Sequence, residues 1–352
     1  MSRWIGNRLI VELYGESHSE AVGVKCDNFP TVKFDYEKLL AFMRRRQGGQ
    51  GFNTTPRKED DIPEFISGVL GDEIVSNSFE VVIKNNNKKS ADYDELYGKP
   101  RPSHADYCDY AKTGNLDFSG GGRFSARLTA PLCVAGYMAK EYLNSKGVYA
   151  YSYISSVGRV KGKSYKKGVD RKMLENIKGF PSLSKKRTMI NEIKKAVKKG
   201  DSVGAVCECV VYGVKAGVGE NYFDGIEGKI ASLIYSIPAV KGVEFGLGFE
   251  LSSLNGSVAN DPFIYENGEV KTKTNNAGGI NGGIANGMPI TMRVAFRPTP
   301  SIAKEQETVD LINKQNVKIQ IKGRHDGCVA VRALPVIESM VYLALLDLGD
   351  YL

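Results

Sequence analysis

Each of the three histidines in this chain lies beside glycine, proline or arginine. The segments are Gly15-Glu16-Ser17-His18, Arg101-Pro102-Ser103-His104-Ala105-Asp106 and Gly323-Arg324-His325-Asp326. Histidine is the side chain best suited to exchange protons near neutral pH. A single loop histidine is more often structural, but three in such company weaken that explanation. Of sixteen arginines, eleven fall in 44–57, 101–127 and 293–332. Arginine grips phosphate and carboxylate through two parallel hydrogen bonds. The stretch Asp117-Phe118-Ser119-Gly120-Gly121-Gly122-Arg123-Phe124-Ser125-Ala126-Arg127 adds a glycine-rich approach to a helix, whose first N–H groups suit an anion. Arg123 and Arg127, four apart, are placed to share one helix face. A second glycine-rich block, Asn275 to Gly287, has neither dinucleotide-binding nor P-loop spacing. It leads into the rigid, cationic loop Arg297-Pro298-Thr299-Pro300-Ser301. These residues suit a small anionic substrate and proton chemistry, with no metal motif. They do not name a reaction.

The elements that must position these groups form a mixed set. Asp35 caps a helix running to about Arg46, with Leu39, Leu40 and Met43 inward. Residues 65–70 and 79–84 read as strands, and 98–122 as loop. A helix of small and apolar residues runs from about Phe124 to Lys146, where Pro131 either bends it or marks its first turn. Residues 148–154, 203–214, 240–245 and 289–296 read as strands, and 184–199 and 226–237 as helices. The last helix, about Ala330 to Leu348, is apolar nearly all round and must be enclosed. This mixture predicts an α+β sandwich with helices between sheets. With no linker and no internal repeat, 1–352 reads as one domain.

The net charge of +8 does not indicate nucleic acid. Residues 161–200 hold fourteen Lys/Arg against three Asp/Glu, and the rest of the chain is 34 against 37. That lysine-rich stretch reads as a solvated helix face without interleaved aromatics for base stacking. No apolar run reaches bilayer length, and the first residues lack the apolar core of a secretory signal. The six cysteines form no C-x-x-C pair and read as reduced, mostly buried thiols. The expected location is cytoplasmic, with no membrane and no nucleic-acid partner.

Taken together, these blocks resemble the chorismate synthase family along the whole chain. The carrying segments are 15–18, Arg44-Arg45-Arg46 with Thr54 to Glu59, 101–106, 120–130, 236–244, 277–287, 297–302 and 323–326. The resemblance implies a chorismate synthase-like β-α-β sandwich, four subunits to a tetramer, and phosphate elimination from 5-enolpyruvylshikimate 3-phosphate to chorismate. It implies reduced FMN with no net redox change, the flavin N5 taking part in proton removal. NADPH enters only as a reductant of that flavin, supplied by the chain's own activity or by a separate flavin reductase.

By the same resemblance, His18 protonates or holds the flavin, and His104 is the second acid, near the leaving phosphate or the flavin. Ser17, Ser125 and Asp326 support them, with Asp326 helping to relay the proton. Arg44, Arg45, Arg101 and Arg127 bind the substrate's phosphate and carboxylates. Arg123, Phe124, Ser125, Pro238, Ala239, Gly282, Arg297, Pro298, Thr299, Pro300, Ser301 and Arg324 contact the flavin, with His325 a neighbour. The sequence departs from the family pattern at Ser19 and Ser103, where glycine is usual, and at Asn281, where leucine is usual. The 47–53 loop is one residue longer, with Phe52 near the place of another arginine. A flavin enzyme doing net redox would be the competing reading, but the chain has no nicotinamide fingerprint.

Overall fold

The computed structural model describes residues 1–49, 51, 60–86, 96–118, 120–163, 165, 168–321 and 326–349. Alternating residues such as Val22, Val24 and Cys26 turn one strand face inward and the other outward. The first sheet built this way is antiparallel. Its strands lie in the spatial order Ser2–Ile5, Ile10–Gly15, Ala21–Asp27, Ser78–Lys84, Glu64–Ser67. The second has the order Val160–Lys161, Tyr149–Val157, Ala205–Tyr212, Ile290–Phe296, Val240–Phe245. The helices are α1 (Tyr36–Arg44), α2 (Asp106–Thr113), α3 (Thr129–Ser145), α4 (Arg171–Glu175), α5 (Lys186–Lys198), α6 (Ile226–Tyr235), α7 (Gly256–Ala259) and α8 (Ala330–Leu348).

Between the sheets lie α3 and α8. The first packs on strands Ala21–Asp27 and Ser78–Lys84, the second on Tyr149–Val157 and Ala205–Tyr212, and the two pack on each other. Gly136 permits that approach, since a Cβ there would collide with Ser339 of α8. One continuous hydrophobic cluster joins both sheets and both helices, which is the predicted helix-between-sheets arrangement. The apolar wrapping of α8 is explained by its position: of its residues only Arg332 is not buried. Near its end the fully buried Asp347 accepts backbone N–H bonds from Asn7, Arg8 and Leu9, each 2.9 Å. This seals the start of the chain onto its last helix.

Several expectations change in detail. The strand expected at 65–70 breaks at Gly68, whose positive φ of 78° sends Val69–Leu70 into a separate small sheet. The expected loop 98–122 contains α2. The helix expected from Phe124 starts at Thr129, after two 3₁₀ turns at Gly122–Phe124 and Ala126–Leu128. Pro131 therefore occupies the first turn of α3, where its missing N–H costs no hydrogen bond. The lysine-rich α5 buries only Met189 and Ile193, so its charges face solvent. All six cysteines are free thiols, with only Cys108 exposed. No described helix is long and apolar enough to cross a membrane.

Candidate active site

The turn carrying His104 sits just before α2. Arg101 C=O accepts from the His104 N–H at 3.1 Å. Ser103 holds a left-handed φ of 59°, a conformation that favours glycine. Its carbonyl accepts from Arg297 Nη1 at 2.6 Å, so the Arg297 loop clamps the turn. On the other side the Asp106 carboxylate takes a two-pronged grip from Arg101, Nε to Oδ2 and Nη2 to Oδ1, both 2.7 Å. His104 Nδ1 lies 2.5 Å from the same Oδ1. Burial alone would raise the Asp106 pKa, but hydrogen bonds and charge from Arg101 and His104 bring it down to about 2.

Arg101 also donates to the Gly120 carbonyl at 2.6 Å. Gly120 has φ 62°, and a Cβ there would collide with His18 Nε2. Hence Gly120 lies against His18 and is linked through Arg101 to His104. Ser17, beside His18, donates its N–H to Gly122 C=O, while its buried Oγ has no hydrogen-bond partner among the described residues.

The arginines divide into distinct groups. Arg123 and Arg127 do not share a helix face, because they fall on successive 3₁₀ turns. Arg123 is exposed, pairs with Asp109 and stacks over the exposed Phe124. Arg127 is buried, its N–H capped by Ser125 Oγ, and its guanidinium bonds Asp61, Asn85 and Lys84 C=O. Asp61 is paired on its other side with Arg46, which sequence reasoning did not single out. Burial opposes the Asp61 charge, yet the two arginines hold its pKa below the usual range.

Arg44 is exposed, and Arg45 turns away from Arg46 to grip Glu338 at 2.6 and 2.8 Å. There it faces a cavity of about 450 Å³ shared with Tyr151, Ser152 and Pro335. Asp326 pairs with Arg332 at 2.7 Å, and Arg332 Nε donates to Arg46 C=O at 2.8 Å. Asp326 is thereby joined to the end of α1.

Among the remaining expected residues, Ala239 has φ 74° and its carbonyl accepts from the Arg297 N–H. Pro238 precedes it, half-buried. Pro298 is exposed, Pro300 half-buried and Ser301 buried; Thr299 holds Ser202 through its carbonyl and has a buried, unpartnered Oγ1. Gly282 is exposed at the tip of a two-stranded hairpin. The neighbouring Gly283 is bound by Ile226, and Gly282 is not joined to the histidine cluster by any hydrogen bond among the described residues. Arg324, His325, Ser119, Phe52 and Thr54 to Glu59 lie outside the described residues.

Sequence reasoning missed Arg46, Asp61 and Arg332, and gave Asp106 no role of its own. The triple Arg44-Arg45-Arg46 was the available signal, but the fold decides which guanidinium turns inward.

The arrangement offers two histidines near a buried glycine turn braced by arginine, with further arginines paired to buried carboxylates close by. Comparison with known proteins agrees with that chemistry. The family model described as chorismate synthase matches residues 9–349. A chorismate synthase of Thermococcus kodakarensis is 41% identical over 345 residues, covering 97% of this chain and 96% of its own. One from Dehalococcoides mccartyi is 39% identical over 352 residues, covering 99% and 97%. A solved structure titled as the crystal structure of chorismate synthase superposes with a TM-score of 0.76 at 25% identity, covering 97% of this chain and 92% of that one.

Proposed function

The chain belongs to the chorismate synthase family, and from that premise we propose how its residues share the work. It is a carbon–oxygen lyase of the shikimate pathway. It removes phosphate and a ring proton from 5-enolpyruvylshikimate 3-phosphate to give chorismate. The observation that carries the assignment of roles is the link from His104 through Arg101 to Gly120, against which His18 lies.

The family uses a flavin, and we assign it as reduced FMN. The residues fit such a group: Ser17 Oγ and Thr299 Oγ1 are buried without hydrogen-bond partners among the described residues. Arg123, Phe124, Ser125, Pro238, Ala239, Gly282, Arg297, Pro298, Thr299, Pro300, Ser301 and Arg324 would hold it. When bound, it supplies an electron-rich centre that permits elimination without net redox change. His18 keeps a proton at the flavin's edge, and His104 gives a proton to the departing phosphate. Asp326, steadied by Arg332, accepts a proton in the relay. Arg44 and Arg45 receive the phosphate and carboxylates, while Arg127, clasped with Arg46 on Asp61, contributes the net positive charge of that cluster to the substrate's side. Such donors arranged beforehand act most strongly where anionic charge develops.

The same reading takes residues 1–352 as one domain, supported by the continuous core across both sheets. It takes the assembly as a homotetramer, supported by exposed Tyr222, Phe223, Phe249 and Tyr265, which subunit contact would cover. A cytoplasmic location fits the six free thiols. NADPH, used by the chain or by a separate reductase, would serve to reduce the flavin, and NADPH oxidation with free FMN separates those two sources. The test of the whole reading is anaerobic incubation of enolpyruvylshikimate phosphate with reduced FMN. Equal release of phosphate and chorismate is expected, and its absence would overturn the assignment.

A further inference from the structure

We propose that Asp106 is a positioning residue that fixes the tautomer and aim of His104, and that Arg101 serves by holding Asp106 rather than by gripping substrate. The proposal rests on the reading of His104 as a proton donor. Its own support is the geometry of the turn. Asp106 and Arg101 are both buried, with side chains 5% and 4% exposed, while His104 is 17% exposed. An ionised carboxylate only accepts hydrogen bonds. With Asp106 Oδ1 at 2.5 Å, His104 Nδ1 must therefore carry its hydrogen, which leaves Nε2 as the ring atom that takes and gives the proton.

Arg101 Nη2 lies 3.2 Å from the same Nδ1. The two Nη2 hydrogens have shorter bonds to Asp106 Oδ1 and Gly120 C=O, at 2.7 and 2.6 Å, so this contact does not require Nδ1 to accept. Arg101 is itself committed. Its N–H donates to Asp106 Oδ2 at 2.9 Å, its Nε and Nη2 span the carboxylate, and Nη2 reaches Gly120 C=O. An incoming phosphate would have to displace a buried internal carboxylate to claim that fork. The structure thus uses the arginine as a brace: it holds the carboxylate ionised, the carboxylate holds the imidazole, and the outer nitrogen remains for chemistry. The same arginine ties the turn to Gly120, against which His18 lies.

The experiment compares the holoenzyme with Asp106→Asn, Arg101→Lys, His104→Ala and the double variant His104→Ala/Asp106→Asn. Steady-state kinetics on enolpyruvylshikimate phosphate are paired with nitrogen-15 NMR of the labelled imidazoles, assigned by the loss of a signal in His104→Ala. Asp106→Asn is expected to lower kcat by about 10²–10⁴-fold, with KM within about twofold. Added to His104→Ala, it should cost less than about threefold more, because residues acting as one unit are not additive. Arg101→Lys should lower kcat with KM unchanged, since lysine cannot span a carboxylate.

The neutral His104 ring in the unsubstituted protein should carry its hydrogen on Nδ1, and Asp106→Asn should convert it to a mixture. A tenfold rise in KM for Arg101→Lys would return Arg101 to substrate binding. An Nε2–H tautomer in the unsubstituted protein would overturn the role of Asp106 even if the variants failed to fold. If His104→Ala keeps full turnover, the assignment of His104 as the acid falls. If His104→Ala is slow while Asp106→Asn is fast, only the present proposal falls.

Discussion

Two buried aspartates, each clasped by arginine, lie at this site and differ in their third partner. Asp61 stands between Arg46 and Arg127, one carboxylate between two guanidiniums. Asp106 stands between Arg101 and His104. The first cluster keeps a surplus of positive charge that no loss of a proton can remove, because arginine does not titrate in proteins. The second is balanced when His104 is neutral and becomes positive only when the ring takes a proton. Exchanging one arginine for histidine thus converts a permanently positive cluster into one whose charge follows a proton.

The largest expected effect falls on the second cluster. His104→Ala should leave folding intact and lower turnover by about 10²–10⁴-fold, the usual contribution of a general acid. Rapid-quench phosphate release checks this, and near-normal turnover would remove His104 from the chemistry. Asp61→Ala addresses the first cluster. Leaving two buried guanidiniums without their carboxylate should cost about 3–5 kcal/mol of stability in urea unfolding. A cost under about 1 kcal/mol would mean that Asp61 is not the keystone of that cluster. Arg45→Ala should weaken substrate binding by roughly ten- to hundredfold, the range for a lost charged hydrogen bond. Calorimetric titration that finds unchanged affinity would refute its assigned role.

Acid should act on both clusters. The folded Asp106 has a pKa of about 2, below the value of about 3.9 for an unfolded aspartate. Its contribution is therefore fully present above the unfolded value and is lost as pH falls toward 2. The loss is on the order of 2 kcal/mol, and a pH series of thermal melts on Asp106→Asn should lack it. The smallest effect concerns the turn itself. Ser103→Gly should relieve the left-handed backbone and stabilise by about 0.5–1 kcal/mol. It should also recover part of any activity lost in Arg297→Ala, and no recovery would show that the Arg297 clamp does not offset strain at Ser103.

Much of this was legible in the sequence, for reasons that differ by region. α8 announces itself because apolar residues on every side leave it nowhere but the interior. The strands Tyr149–Val157, Ala205–Tyr212 and Ile290–Phe296 read clearly because each is rich in β-branched or apolar residues. α2 was hidden because it buries only Asp106 and begins without a side-chain cap, so neither periodicity nor capping marks it. The His18 and His104 turns were visible as residue types in glycine-rich company, but their link through Arg101 and Gly120 is tertiary. Arg45 and Arg46 show the limit best. They are adjacent and identical, yet one turns to Glu338 and the other to Asp61 fifteen residues on. Where α1 ends, a single step around the helix axis decides between them.

The bond between Asp347 and the N–H groups of Asn7 to Leu9 spans some 340 positions of the chain. A ribosome adding roughly 5–20 residues per second would make these partners about 15–70 seconds apart. Throughout that interval α3 and the strands Tyr149–Val157 and Ala205–Tyr212 lack α8, and the middle layer of the sandwich is incomplete. The native core therefore closes only when the last helix has been made, because α8 is what covers the facing apolar sides of α3 and of the second sheet.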